Sequence, residues 1–104
     1  MKTDVEKIAG ALDKLEKISG YTYLKQGVPE AGVIAQEVES VLPHSVTQTE
    51  LTLNDGSMLK DARSININGV VALLVEALKE EREARQALEL RLAALEGGIS
   101  IIAG

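Results

Sequence analysis

A chain of 104 residues with no cysteine and a net charge of −5 excludes disulfides, a thiolate nucleophile and cysteine-based zinc sites, and its acidic balance argues against a nucleic-acid surface, which needs clustered Lys and Arg to release counterions. Phe and Trp are absent and Tyr21 and Tyr23 are the only aromatics, so the core must come from Leu, Ile, Val and Ala, each with a modest apolar payload. A domain this small buries only about two-thirds of its unfolded surface, so help from oligomerisation fits, while no signal peptide or membrane span is expected: the run VVALLVEAL is broken by Glu76 and falls well short of the roughly 20 apolar residues a bilayer requires.

Val5, Ile8, Ala11, Leu12, Leu15 and Ile18 recur at three-and-four spacing and predict a first helix from about Asp4 to Ser19, with Gly20 as its stop. Tyr21 to Tyr23 favour a short strand, and KQGVPEAG carries the Gly and Pro of a loop. Gly32 to Ala35 reads as a second strand turning into a short helix, Gln36 to Leu42, which Pro43 ends. Val46 to Thr49, Leu51 to Leu53 and Met58 to Ile65 read as further short strands, with Asn54, Asp55 and Gly56 as the turn before the last.

From about Ile67 the pattern is helical and stays so to Glu96, roughly 45 Å at 1.5 Å per residue, with Gly97 and Gly98 closing the helix. Val71, Leu74, Leu78, Leu88, Leu92 and Leu95 fall on the alternating spacing of heptad a and d sites, with Glu81 and Arg85 on the two sites between. A second, mostly small stripe of Leu73, Ala77, Ala84, Ala87 and Ala94 lies beside this seam and suits either a close neighbouring backbone or packing on the chain's own globular part. One helix alone cannot bury both stripes. The fold class expected is α+β: a small globular part of short strands and helices over residues 1–65, a long coiled-coil helix over 66–96, and a tail over 97–104. Leu at both a and d leaves the number of strands weakly specified.

Charged side chains on a dry seam are costly unless paired, so Glu81 and Arg85 have two readings: a device that fixes register or keeps the segment separable, or a loosened stretch that water reaches. His44 is the only histidine, which makes a closed zinc site improbable; a loop position after Pro43 is the simpler reading. Gln36, Glu37 and Glu39 invite an acid-base interpretation, but on a short helix they form a solvated face, with Val38, Val41 and Leu42 turned to the core. None of Ser19, Ser40, Ser45, Ser57, Ser64 or Ser100 has a nucleophile-elbow context, and Asp55-Gly56 lacks the carboxylates of an EF-hand and needs only a turn. No cofactor and no metal are expected.

GYTY at Gly20 to Tyr23, the block GVIAQEVESVLP (Gly32, Val33, Ile34, Ala35, Gln36, Glu37, Val38 and on to Leu42 and Pro43) and the helix opening VVALLVEALKEE at Val70 together resemble the C-terminal intramolecular chaperone of phage tail fibres, tail spikes and endosialidases, also classed as the self-cleaving peptidase family S74. The likeness runs from Lys2 to about Glu83. It implies a parallel trimeric coiled coil with Val71, Leu74, Leu78, Glu81, Arg85, Leu88, Leu92 and Leu95 at the interface, and a homotrimer that aligns an upstream β-structured fibre region for folding. By the same resemblance the module works in the host cytoplasm during phage assembly and is cut off afterwards, without nucleic acid or membrane as partner.

The family's domain starts with a motif like Ser-Asp-x-Arg-x-Lys, whose Ser and Lys make the cut. KTDVEKIAGALDKLEKISGYTY aligns in phase with the following helix and puts Lys2 on that lysine. Such a lysine must give up its proton to activate a hydroxyl, which burial or nearby cations promote and which subunit assembly could supply. The matching serine falls ahead of Met1, so this chain is expected not to act as an enzyme, and Lys2 by itself also reads as a solvated terminal lysine. Two other functions remain open: a single-turnover serine autopeptidase, and a permanent trimerisation or tip module kept on the virion.

Overall fold

The computed structural model describes residues 1–52, 55, 56 and 58–103, and the side chains of 1–48, 55, 56 and 62–97. The element order is α1 (Ala11–Leu15), β1 (Tyr21–Lys25), β2 (Val28–Gly32), α2 (Ala35–Val41), a 3-10 turn (Pro43–Ser45), β3 (Val46–Thr52), β4 (Met58–Ile65) and α3 (Ile67–Ala103). The fold is α+β, with two separate antiparallel hairpins and one helix that dominates the long axis of 79 Å.

The first helix is much shorter than its apolar spacing predicts. Asp4 and Gly10 both take left-handed backbone angles, φ 51° and 60°, which interrupt any helix from Asp4, so α1 starts at Ala11 behind Gly10. The chain then leaves α1 through tighter bonds, Lys17 N to Lys14 O and Ile18 N to Leu15 O. The periodicity was nevertheless recording burial: Ile8, Leu12, Leu15 and Ile18 all pack against the cluster of Ala11, Leu73 and Ala77. Apolar spacing of three and four selects a buried face and does not oblige the intervening backbone to be helical.

KQGVPEAG, expected as a loop, is instead a hairpin turn with part of its two strands. Gln26 and Gly27 have φ of 52° and 81°, the paired positive angles of the turn that matches strand twist, and the register runs from Lys25 opposite Val28 to Tyr21 opposite Gly32. Pro29 is tolerated because β2 is an edge strand. The second strand is therefore Val28–Gly32 and not Gly32 to Ala35, and α2 begins one residue earlier than predicted, at Ala35. Tyr23 lies across Gly32, where an added Cβ would sit 3.0 Å from the tyrosine oxygen.

Val46–Thr49 and the following segment form one strand, β3, which is paired with β4 through a register shift between Thr49 and Leu51. Leu53 and Asn54 lie outside the described residues; Gly56 has φ 87°, as a turn requires. α3 starts at Ile67 as expected, with Asn66 Oδ1 accepting from Asn68 N at 3.0 Å as a cap. It does not close at Gly97 and Gly98 but continues to Ala103. Glycine raises the cost of a helix by about 1 kcal/mol against alanine, and it stops one only where the backbone turns left-handed.

Among the described residues the buried side chains are few and aliphatic: Ala11, Val38, Ala62, Val70, Leu73 and Ala77. The first turn of α3 rests directly on the 3-10 turn. Asn66 N donates to Ser45 O at 2.7 Å, and a Cβ on Gly69 would overlap Ser45 Oγ and come within 2.7 Å of Ser45 Cβ. Here glycine is required by close approach, since its own backbone is ordinary helix.

Candidate interface on the long helix

α3 carries two apolar faces with opposite fates. Val70, Leu73 and Ala77 are buried, and the last two, with Ala11, form the core cluster on which α1 packs. The same face ends in Glu80, whose Oε2 accepts from Ala11 N at 2.8 Å and Oε1 from Leu12 N at 3.0 Å. These bonds hold the Glu80 carboxyl below the usual glutamate range, Leu12 contributing most and Ala11 next; partial burial opposes the shift and the Lys14 charge assists it. Of the two roles open to the small stripe, packing on the chain's own globular part holds for Leu73 and Ala77. Ala84, Ala87 and Ala94 remain exposed.

The heptad seam lies on the other face. Val71, Leu74, Leu78, Leu88, Leu92 and Leu95 are all exposed, from 47% at Leu74 to 70% at Leu78, and Val75 is 48% exposed beside them. From Glu81 to Gly97 every side chain of α3 is solvent-exposed, so among the described residues none covers that stretch of the helix. Glu81 and Arg85 are exposed too, and they line a shallow depression with Leu78 and Arg82. Within one chain Arg85 faces Glu89, with Nε 3.9 Å from Oε1, one turn further along.

The remaining predicted positions sit in the globular part. Lys2 is solvent-exposed. Of the block from Gly32 to Pro43, Val38 is fully buried while Ile34, Gln36 and Pro43 are exposed; Gly32, Val33, Ala35, Glu37 and Leu42 are half-buried. The block meets the interior through Val38, which is buried, and through Val41 and Leu42, which pack against the core cluster. Glu37 is not merely a solvated carboxylate: Oε1 accepts from Ser19 N at 3.0 Å and Oε2 from the Tyr21 hydroxyl at 2.8 Å, fixing the α1–β1 connection to α2. Glu39 pairs with Arg63 Nε at 3.3 Å, linking α2 to β4. His44 is exposed in the turn after Pro43.

Sequence reasoning missed Glu80 as the residue that caps α1. Gly10 ahead of Ala11 offers no capping side chain, and nothing local says that the acceptor comes from α3. Among the described residues, no helix is long and apolar enough to cross a membrane.

Residues 1–47 match the family model described as the chaperone of endosialidase, peptidase S74. The chain is 38% identical over 103 residues to the long tail fibre protein Gp37 of Salmonella phage S16, covering 86% of this chain and 13% of that protein. It is 39% identical over 90 residues to Gp37 of Escherichia phage AR1, covering 77% of this chain and 8% of that one. With Gp37 of Enterobacteria phage M1 the identity is 35% over 91 residues, covering 80% and 34%. The chain therefore spans about a third or less of the length of these relatives. Such coverage of this chain takes in more than the first 47 residues and so reaches beyond the segment that the family model matches.

Proposed function

Because the chain belongs to the chaperone-of-endosialidase family, whose model its residues 1–47 match, we propose that it is a folding module for a phage tail fibre, associating as a homotrimer through α3 and thereby bringing three β-rich fibre strands together in register. The observation that carries this reading is the uncovered row of Val71, Leu74, Leu78, Leu88, Leu92 and Leu95 on a helix that is 37 residues long. An exposed apolar stripe at heptad spacing is the surface a coiled coil buries.

The physical need is in the fibre. Intertwined β-structures depend on contacts distant in sequence and between chains, and the entropy of bringing those segments together is lost before the contacts form. Three chains already joined at a coiled coil meet at an effective concentration set by their tethers. Once the fibre has formed, its persistence is kinetic, so the module can depart without undoing the fold. In this reading it acts in the host cytoplasm during assembly and does not stay on the virion.

The test is to produce the β-rich fibre region with and without this segment and to weigh soluble trimer in each; equal yields refute the chaperone role. Release is tested separately. In a precursor carrying residues ahead of Met1, Lys2 is the proposed partner of a serine nucleophile, and Lys2→Ala should leave the precursor whole by mass spectrometry. Unchanged cutting removes Lys2 from that role.

A further inference from the structure

The a and d assignment of α3 fixes the flanking positions. Arg91, just before Leu92, is a g residue, and Glu96, just after Leu95, is an e residue. Across a parallel coiled coil, g of one helix faces e of its neighbour five residues on. Applied along α3, that rule sets Ala77 opposite Arg82, Ala84 opposite Glu89, and Arg91 opposite Glu96. Only the last joins opposite charges.

Lys79 is taken up by Glu76 at 4.0 Å and Arg85 by Glu89 at 3.9 Å, whereas among the described residues neither Arg91 nor Glu96 has an ion-pair partner. Both are exposed, and they bracket Leu92 and Leu95, which are 54% and 65% exposed.

We propose that Arg91 of one copy and Glu96 of a second copy of this chain form an interchain clasp around the Leu92 and Leu95 layers, which selects a parallel, in-register assembly. This rests on the association through α3 argued above and adds what sets its direction and alignment, which Leu at a and d leaves open. An antiparallel arrangement sets g against g, where Arg91 meets Val70, Ala77, Ala84, Gly98 or another Arg91 and never an acid. A slip of one heptad keeps an acid near Arg91, since Glu89 takes the place of Glu96. That slip also stacks Glu81 on Leu74 or Leu88 and Arg85 on Leu78 or Leu92, which buries charge against hydrocarbon. In register, Glu81 layers meet Glu81 and Arg85 layers meet Arg85, one turn apart and able to exchange partners between chains. The clasp therefore favours the parallel direction, and the polar layers exclude the one-heptad slip.

The experiment uses the full chain and follows its mass by light scattering during dilution. Arg91→Glu and Glu96→Arg should each raise the concentration of half-dissociation about tenfold, as several surface pairs turn from attraction to repulsion, and less in high salt. The double variant R91E/E96R should return to within about twofold of the parent. Because the chain has no cysteine, Leu78→Cys and Leu92→Cys report alignment independently: each should cross-link to itself upon oxidation. Single variants that dissociate like the parent, a double variant no better than either single, or self-cross-linking at just one of the two sites would overturn the clasp and leave association standing. A monomeric parent at micromolar concentration would instead remove the association on which the clasp depends.

Discussion

The carboxylate of Glu80 lies 2.8 Å from the amide nitrogen of Ala11, across 69 positions of sequence, and with its second oxygen 3.0 Å from Leu12 N it supplies the cap that Gly10 has no side chain to give. The first N–H groups of any helix lack partners within it. In α1, which has only five residues, those groups are a large share of the hydrogen bonding, so the docking of α1 on α3 and its existence as a helix are one event.

Glu80→Gln keeps the shape and one acceptor oxygen but removes the charge, and should weaken that docking. The Glu80 carboxyl is held below its ordinary value, first by Leu12 N and then by Ala11 N. A folded-state depression contributes stability that is present in full above the unfolded value, about 4.3 for glutamate, and is lost as pH falls through the lower folded one. The wild type should therefore lose stability on acidification below the usual glutamate range. In Glu80→Gln that part of the acid limb should flatten, with faster hydrogen exchange at the amides of Ala11 and Leu12 at neutral pH. Identical acid limbs in the two proteins would show that the bond does not bear on stability.

Gly69→Ala should destabilise the chain by about 1–3 kcal/mol, since an added methyl in a packed contact forces a shift. Its Cβ would overlap Ser45 Oγ and come within 2.7 Å of Ser45 Cβ, so Ser45→Ala, which removes the oxygen but keeps that carbon, should relieve the strain only in part. Ser45→Gly should relieve it in the double variant, beyond its own cost as a single change. Urea denaturation of the four proteins is the measurement, and a harmless Gly69→Ala would mean that α3 and the 3-10 turn sit further apart.

The long helix and the β3–β4 hairpin were legible because each has a strong period of its own: heptad leucines in α3, and β-rich residues around Asp55 and Gly56. The first helix misled because Ile8, Ala11, Leu12, Leu15 and Ile18 share one apolar cluster with Leu73 and Ala77 of α3 although the backbone bends at Asp4 and Gly10. β2 was hidden by Pro29 and by glycine at both ends, which read as loop until Gln26 and Gly27 are seen as the turn between two strands. Gly97 and Gly98 read as a stop, but composition does not tell a C′ glycine from one carried within a helix. On the candidate surface, the exposed seam followed from spacing, whereas Glu37 and Glu80 could not: each binds backbone distant in sequence.

Glu37→Ala removes the acceptor of both Ser19 N and the Tyr21 hydroxyl and should cost about 1 kcal/mol, the usual net worth of such bonds. Tyr21→Phe removes one of the two. In a double-mutant cycle the pair should couple by about 0.5–1 kcal/mol, measured by chemical denaturation; additivity would mean that the two groups act independently.

The two faces of α3 separate folding from association, and a matched pair of leucine truncations tests this. Leu73 is 0% exposed and clusters with Ala11 of α1, whereas Leu78 is 70% exposed and lies outside that cluster. Leu73→Ala should cost about 2–5 kcal/mol, and because the core is so small the loss should appear as undocking of α1 at ordinary temperature, seen in the amides of residues 8–18. Leu78→Ala should leave those amides within about 0.5 kcal/mol of their parent protection while shifting the assembly towards monomer upon dilution. The opposite pattern, with Leu78→Ala loosening α1 and Leu73→Ala lowering the oligomer mass alone, would require the two faces to exchange roles.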